Sequence, residues 1–136
     1  MRPPPARRPV VSGVRRARGL AARRSGRRAE WLAALWLMAK GYRILGLRLA
    51  TPFGEIDLLA QRGAVLAVVE VKRRRTLEEA LYAVGDPQRL RLLRAGETFA
   101  ARLRTPQAVV VRLDLIALAP GRWPRHVRDA WTGRTT

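Results

Sequence analysis

The stretch FGEIDLLAQRGAVLAVVEVKRRR, residues 53–75, sets three carboxylates and one lysine into sequence that otherwise reads as two buried strands. Leu, Ile and Val dominate on either side of Arg62-Gly63, and a short glycine-containing break between two such runs signals a β-hairpin. The chain has only ten Asp and Glu in all. Placing Glu55, Asp57 and Glu70 in this segment therefore asks for a physical reason, because unpaired acids in an apolar strand are costly. A two- or four-residue connection would set Glu55 opposite Glu70 and Asp57 opposite Val68. Opposed residues, and residues two apart on one strand, point to the same side of a sheet. Glu55, Asp57, Glu70 and Lys72 then share a face, with Asp57 and Glu70 as diagonal neighbours whose Cα atoms lie roughly 7–8 Å apart. A three-residue connection would reverse the parity unless a bulge restored it.

Like charges held this close raise each other's pKa, and a divalent cation bound by both removes the penalty. Lys72 offsets part of the negative charge and is placed to orient a water or to stabilise charge growing on phosphorus. A hard metal beside an ammonium is a suitable set for hydrolysing a phosphodiester, and Glu30, arriving from an upstream helix, offers a third carboxylate. The plain alternative is a solvated Glu55–Glu70–Lys72 ion network, since Glu-x-Lys on a strand is a weak signal by itself. The apolar LAVV before Glu70 argues for the buried reading.

Outward from the hairpin, GRRAEWLAALWLMAKG (26–41) reads as a helix stopped by Gly41. Its apolar residues go nearly all round, which predicts a covered helix with Trp31 and Trp36 in the core. YRILGLRLA (42–50), FGEIDLLAQ (53–61), AVLAVVEVK (64–72) and AVVVRLDLIAL (108–118) read as strands. Residues 77–104 read as helical with a break near Gly85-Asp86-Pro87, and GRWPRHVRDAW (121–131) as irregular or a short edge element. The order α-β-β-β-α-β points to an α/β fold with helices against a mixed sheet. Residues 1–25, rich in Arg and Pro and without an acid, read as a disordered basic arm, 26–131 as one domain and 132–136 as a tail.

The formal charge is +18, from 28 Lys and Arg against ten Asp and Glu, and only Lys40 and Lys72 are lysines. Such a chain is drawn to polyanions, with nucleic acid the first expectation. The absence of cysteine excludes thiolate metal centres, and a single histidine argues against a histidine-based one, which points to a hard ion held by carboxylates. The longest apolar run, WLAALWLMA (31–39), is too short to span a bilayer, and no secretory signal is visible, so a cytoplasmic location without membrane contact is expected. Arg73, Arg74 and Arg75 directly follow Lys72, and Arg89, Arg91 and Arg94 extend along the later helix; both groups are candidates for holding a nucleic-acid backbone. His126 is expected to be structural. Asp114 is expected to be buried and hydrogen-bonded or linked to Arg112. Trp123 and Trp131 are expected to cover a sheet edge, with base stacking as the alternative.

An Asp on one strand and Glu-x-Lys on the next resemble the restriction-endonuclease-like nucleases of the PD-(D/E)xK superfamily. More narrowly, GRRAE (26–30), KGYRIL (40–45), GEIDLLA (54–60), VVEVKRR (68–74), RLDLI (112–116) and HVRDAW (126–131) resemble, in order, the motifs of the YraN-like family of bacterial proteins. The resemblance runs from about Gly26 to Trp131. It implies a three-layer α/β fold, a central mixed sheet flanked by helices, and a site for Mg²⁺ or Mn²⁺. Glu30 matches the acid of the first helix, Asp57 and Glu70 the metal ligands, and Lys72 the catalytic lysine. Glu55 matches a further acid of the same motif with no role assigned. Gln88 stands where the family often carries a basic residue, and its amide can still hydrogen-bond a phosphate or a water. The function these features imply is a metal-dependent nuclease acting on DNA, single-stranded or branched DNA included. The alternatives are a non-catalytic nucleic-acid-binding module on the same fold and a basic adaptor for an acidic protein.

Overall fold

The computed structural model of the chain describes residues 26–83, 86–103 and 108–130. The basic arm, Trp131 and the tail 132–136 lie outside the described residues. A helix over 26–39, α1, leads into strands β1 (Arg43–Thr51), β2 (Gly54–Arg62) and β3 (Val65–Arg73). Two helices, α2 (Leu77–Tyr82) and α3 (Asp86–Arg102), precede β4 (Val110–Leu118) and β5 (Arg125–Val127). The strands form one sheet in the order β1-β2-β3-β4-β5. Pairing is antiparallel except between β3 and β4, which run parallel. A parallel neighbour needs a long crossover, and α2 and α3 supply it. The mixed sheet with flanking helices is thus as expected from the sequence, and the 121–131 segment contributes the short edge strand β5.

Two apolar clusters sandwich the sheet. On one side Ala29, Ala33, Ala34 and Leu37 of α1 pack with Leu58, Ala60, Ala67, Val69, Ile116 and Leu118. On the other, Leu92 and Ala95 of α3 pack with Ile56, Leu59, Leu66, Val68 and Leu113. The three layers follow from period-2 alternation along the central strands, whose two faces are both apolar and both covered. α1 ends as its sequence demands. Gly41 takes φ 89°, its N–H bonds the Met38 carbonyl, and the Tyr42 N–H reaches back to the Leu37 carbonyl. This is a Schellman stop, with Tyr42 and Leu37 in the same cluster. Thr76 caps α2, its hydroxyl accepting from the Glu79 N–H at 3.2 Å.

Two expectations are corrected. The hairpin closes over Gly63-Ala64, with Arg62 paired to Val65 and Gly63 at φ 57°, so the register is Leu59↔Val68 and Leu58↔Val69. Glu55 is therefore not opposite Glu70. It pairs with Ala50 of β1 instead and is exposed. The slide is by two residues, which keeps parity and carries Asp57 toward Glu70 in its place. Second, α1 is not covered all round: Trp31, expected in the core, is 61% exposed. The helix faces the sheet with three alanines and one leucine, small enough to let it lie close, and its bulky residues are left on the outer side.

Candidate active site

The β2–β3 ladder ends at Leu58↔Val69. One residue further on, Asp57 bonds the β3 backbone through its side chain: Oδ2 accepts from the Val71 N–H at 3.0 Å. The pleat breaks at the same place. Ile56 packs on the α3 side and Leu58 on the α1 side, although they are two apart on one strand. Across in β1, Arg48 falls between the pairs Leu47↔Leu58 and Leu49↔Ile56 and takes φ 50°, a left-handed conformation rare for a side-chain-bearing residue. Where the two strands part, a cavity of about 460 Å³ opens, lined by Gly26, Ala29 and Glu30 of α1, Asp57 of β2, Val71, Lys72 and Arg73 on β3, Glu70 before them, and Arg74 just beyond.

Glu70 is buried, and its Oε2 has no hydrogen-bond partner among the described residues. Its other oxygen, Oε1, lies 3.1 Å from Lys72 Nζ. Burial is the main reason the Glu70 carboxyl is pushed up to about 7, the Asp57 charge adds to the push, and Lys72 pulls against both. A buried carboxylate oxygen with nothing to bond, beside a second carboxylate, is the donor arrangement a hard cation satisfies. Mg²⁺ suits it because that ion takes one or two carboxylates and keeps several waters.

Glu30 lines the same cavity but faces a cation. Its Oε2 accepts from Arg48 Nε at 2.5 Å. Burial raises the Glu30 pKa, Arg48 opposes that, and the charges of Asp57 and Glu55 add to the rise. Glu30 is thus within electrostatic reach of Asp57 yet held by Arg48. Among the described residues no three Asp, Glu or His side chains stand close enough to form a ready metal cage. Arg48 is the residue that sequence reasoning missed. Its role depends on a left-handed turn inside a strand, for which the sequence LRLA (47–50) gives no signal.

Of the candidate phosphate-holding residues, Arg73 and Arg74 line the cavity and Arg75 is exposed beside it in sequence. Gln88, Arg89 and Arg91 on α3 do not line it. Arg91 instead donates to the Glu55 carbonyl at 3.0 Å, tying α3 to the start of β2. Away from the cavity, Asp114 is fully buried. It accepts from Arg112 Nε at 2.8 Å and from the Asp129 N–H at 3.1 Å, and it lies 2.7 Å from His126 Nε2. Lys40 Nζ sits 2.8 Å from His126 Nδ1. An ammonium only donates, so Nδ1 accepts and Nε2 carries the proton given to Asp114. Burial alone would raise Asp114, but these hydrogen bonds outweigh it and hold the carboxyl below its ordinary range. The structural roles expected for Asp114 and His126 are what the geometry shows. The partner acid of His126 was invisible in sequence because only β4–β5 pairing brings the two together.

The chain matches the model of the uncharacterised protein family UPF0102 over residues 29–118. It belongs to that family. A UPF0102 protein of Caulobacter vibrioides (strain NA1000 / CB15N) is 67% identical over 124 residues, covering 91% of this chain and 99% of the relative. One from Caulobacter sp. (strain K31) is 68% identical over 91% of this chain and 89% of its own length. A more distant UPF0102 protein of Maricaulis maris (strain MCS10) is 50% identical over 106 residues, 78% of this chain and 84% of the relative. The UPF0102 match spans α1 through β4, so every residue lining the cavity except Gly26 falls within it.

Proposed function

We propose that this UPF0102 protein is a metal-dependent nuclease of the restriction-endonuclease-like type that hydrolyses phosphodiester bonds in DNA and works in the cytoplasm. The supporting observation is the buried, unpartnered Glu70 Oε2, beside Asp57 and with Lys72 on the other oxygen, in a cavity that Arg73 and Arg74 also line. The likeness of GEID and VEVK to the PD-(D/E)xK and YraN-like motifs supports the same reading.

Asp57 and Glu70 would hold the cation, Mg²⁺ or Mn²⁺, which would supply charge stabilisation at the phosphoryl oxygens and a more acidic water. Lys72 donates to a phosphate oxygen as negative charge builds, in a site where burial strengthens the interaction. Arg73 and Arg74 hold the flanking phosphates by charge-assisted hydrogen bonds. Water oxygen bonds to phosphorus, the bond from phosphorus to one sugar oxygen breaks, and that oxygen leaves with a proton.

The test is incubation of the purified chain with single-stranded, duplex and branched DNA, with Mg²⁺ or Mn²⁺ and with a chelator, alongside Asp57→Ala and Lys72→Ala. Metal-dependent cleavage that both variants lose, with DNA affinity kept, supports the nuclease. A second reading, a non-catalytic nucleic-acid-binding module, is favoured by one observation: Arg48 engages Glu30 and keeps it from the acid pair. Binding without cleavage of any of these substrates supports that module.

A further inference from the structure

The outer side of α1 is apolar, aromatic and uncovered among the described residues. Trp31, Leu32, Leu35 and Met38 are each more than half exposed, and Trp123, between β4 and β5, is 79% exposed. The Trp123 ring stands 5.8 Å from that of Trp36, tilted by 35°. The side of α1 facing the sheet is made by Ala29, Ala33, Ala34 and Leu37, so the helix carries two apolar faces and the fold uses one. Single exposed apolar residues are ordinary, whereas a joined set of this size marks a binding surface.

The surroundings of the stripe are basic. Arg27 and Arg28 are exposed at its start, and Arg122 and Arg125 are exposed on either side of Trp123. The one acid of α1, Glu30, is buried and paired with Arg48. A matching partner must present negative charge and flat apolar groups on the same surface. A duplex shows phosphates outside and keeps its base faces stacked within, whereas a single strand offers both. An anionic bilayer shares the charge and the apolar character, but the course of the stripe favours nucleic acid. Leu32 and Trp36 are four residues apart and form one ridge. The stripe begins at Trp31, five residues after Gly26, which lines the cavity, and Trp36 of the Trp36–Trp123 pair lies about 15 Å along the helix from Gly26.

We infer that the outer face of α1 together with Trp123 is a stacking platform for single-stranded nucleic acid, which delivers the strand to the acidic cavity at the start of the helix. This deepens the nuclease reading by naming a single-stranded substrate, and it rests on that reading only for what happens after binding. Bases stack on Trp31 and on the Trp123 side of the pair, Leu32 and Leu35 fill the space between, and the four arginines hold the backbone.

Binding measured in chelator keeps cleavage out of the test. The full chain is titrated against a short labelled thymidine oligonucleotide, an abasic strand of equal length, a duplex, and vesicles of phosphatidylglycerol. Thymidine is expected to bind about tenfold more tightly than the abasic strand. Trp31→Ala and Trp123→Ala are each expected to lose about tenfold for thymidine and nothing for the abasic strand, and Trp123→Phe should recover most of the loss. Equal affinity for the two single strands overturns the inference, as does tryptophan-dependent binding to vesicles alone. Both tryptophans are exposed, so their removal should leave the melting temperature unchanged; Leu35→Gln, with the same expected selective loss, provides a second variant. Metal-dependent cleavage with no base dependence of binding would sink the platform and spare the nuclease, and the reverse result would do the opposite.

Discussion

Burial and the nearby Asp57 charge push the Glu70 carboxyl up to about 7 from an ordinary 4.5, against the pull of Lys72. Between those two values the folded protein holds a proton that the unfolded chain has released, so this group's contribution to stability falls as pH rises through that window. Glu70→Gln removes the dependence. In metal-free protein its thermal midpoint is expected to exceed that of the parent at pH 8 and to match it near pH 4; equal midpoints at both would contradict the burial argument. Asp114 behaves in the opposite sense. Its lowered pKa stabilises the fold above the ordinary carboxylate range, and that stabilisation is lost as pH falls through the lowered value. Asp114→Ala leaves Arg112 without its carboxylate and His126 without its acceptor, and should cost about 3–5 kcal/mol in denaturant unfolding at neutral pH. At this scale Asp57, Glu70 and Lys72 were legible because charge in a run of Leu and Val is conspicuous. Arg48 was not, since one arginine among many gives no hint of a left-handed backbone.

The hairpin shows how an element can be right in kind and wrong in detail. Two strands and a glycine turn were readable, but turn closure over Gly63-Ala64 rather than elsewhere moved Glu55 out to solvent and brought Asp57 to the parting of β2 and β3. Turn position is set by a few backbone angles, whereas strand identity is set by many side chains. α1 failed in another way, because apolar content all round a helix does not reveal which side the sheet takes; the alanines decide that by allowing close approach. α3 has its own close approach at Gly96, where an added Cβ would meet Val68 Cγ2 at 2.6 Å and Val111 Cγ1 at 2.7 Å. Gly96→Ala should therefore lose about 1–3 kcal/mol by overpacking, read as a lower denaturant midpoint with an unchanged slope. No loss would mean that α3 can lift from the sheet without cost.

Over the whole molecule the +18 formal charge dominates what approaches it, and the acid pair is a local exception within that field. DNA binding through phosphates releases counterions, so the logarithm of affinity should fall linearly and steeply with the logarithm of salt concentration. Affinity indifferent to salt would rule out nucleic acid as the partner. Among the described residues no helix is long and apolar enough to cross a membrane. The overall architecture was legible because the order of apolar strands and helices leaves few ways to cover both sheet faces. The crossing of α1 over the parting of β2 and β3, which makes the cavity, depends on packing that no single segment encodes.

The central claim is that Asp57 and Glu70 share a divalent cation. A crystal soaked in Mn²⁺ above pH 7 and measured at the manganese absorption edge tests it directly. The account predicts an anomalous peak about 2.1 Å from an oxygen of each carboxylate, absent in Glu70→Gln; a fully soaked crystal with peaks only elsewhere would contradict it.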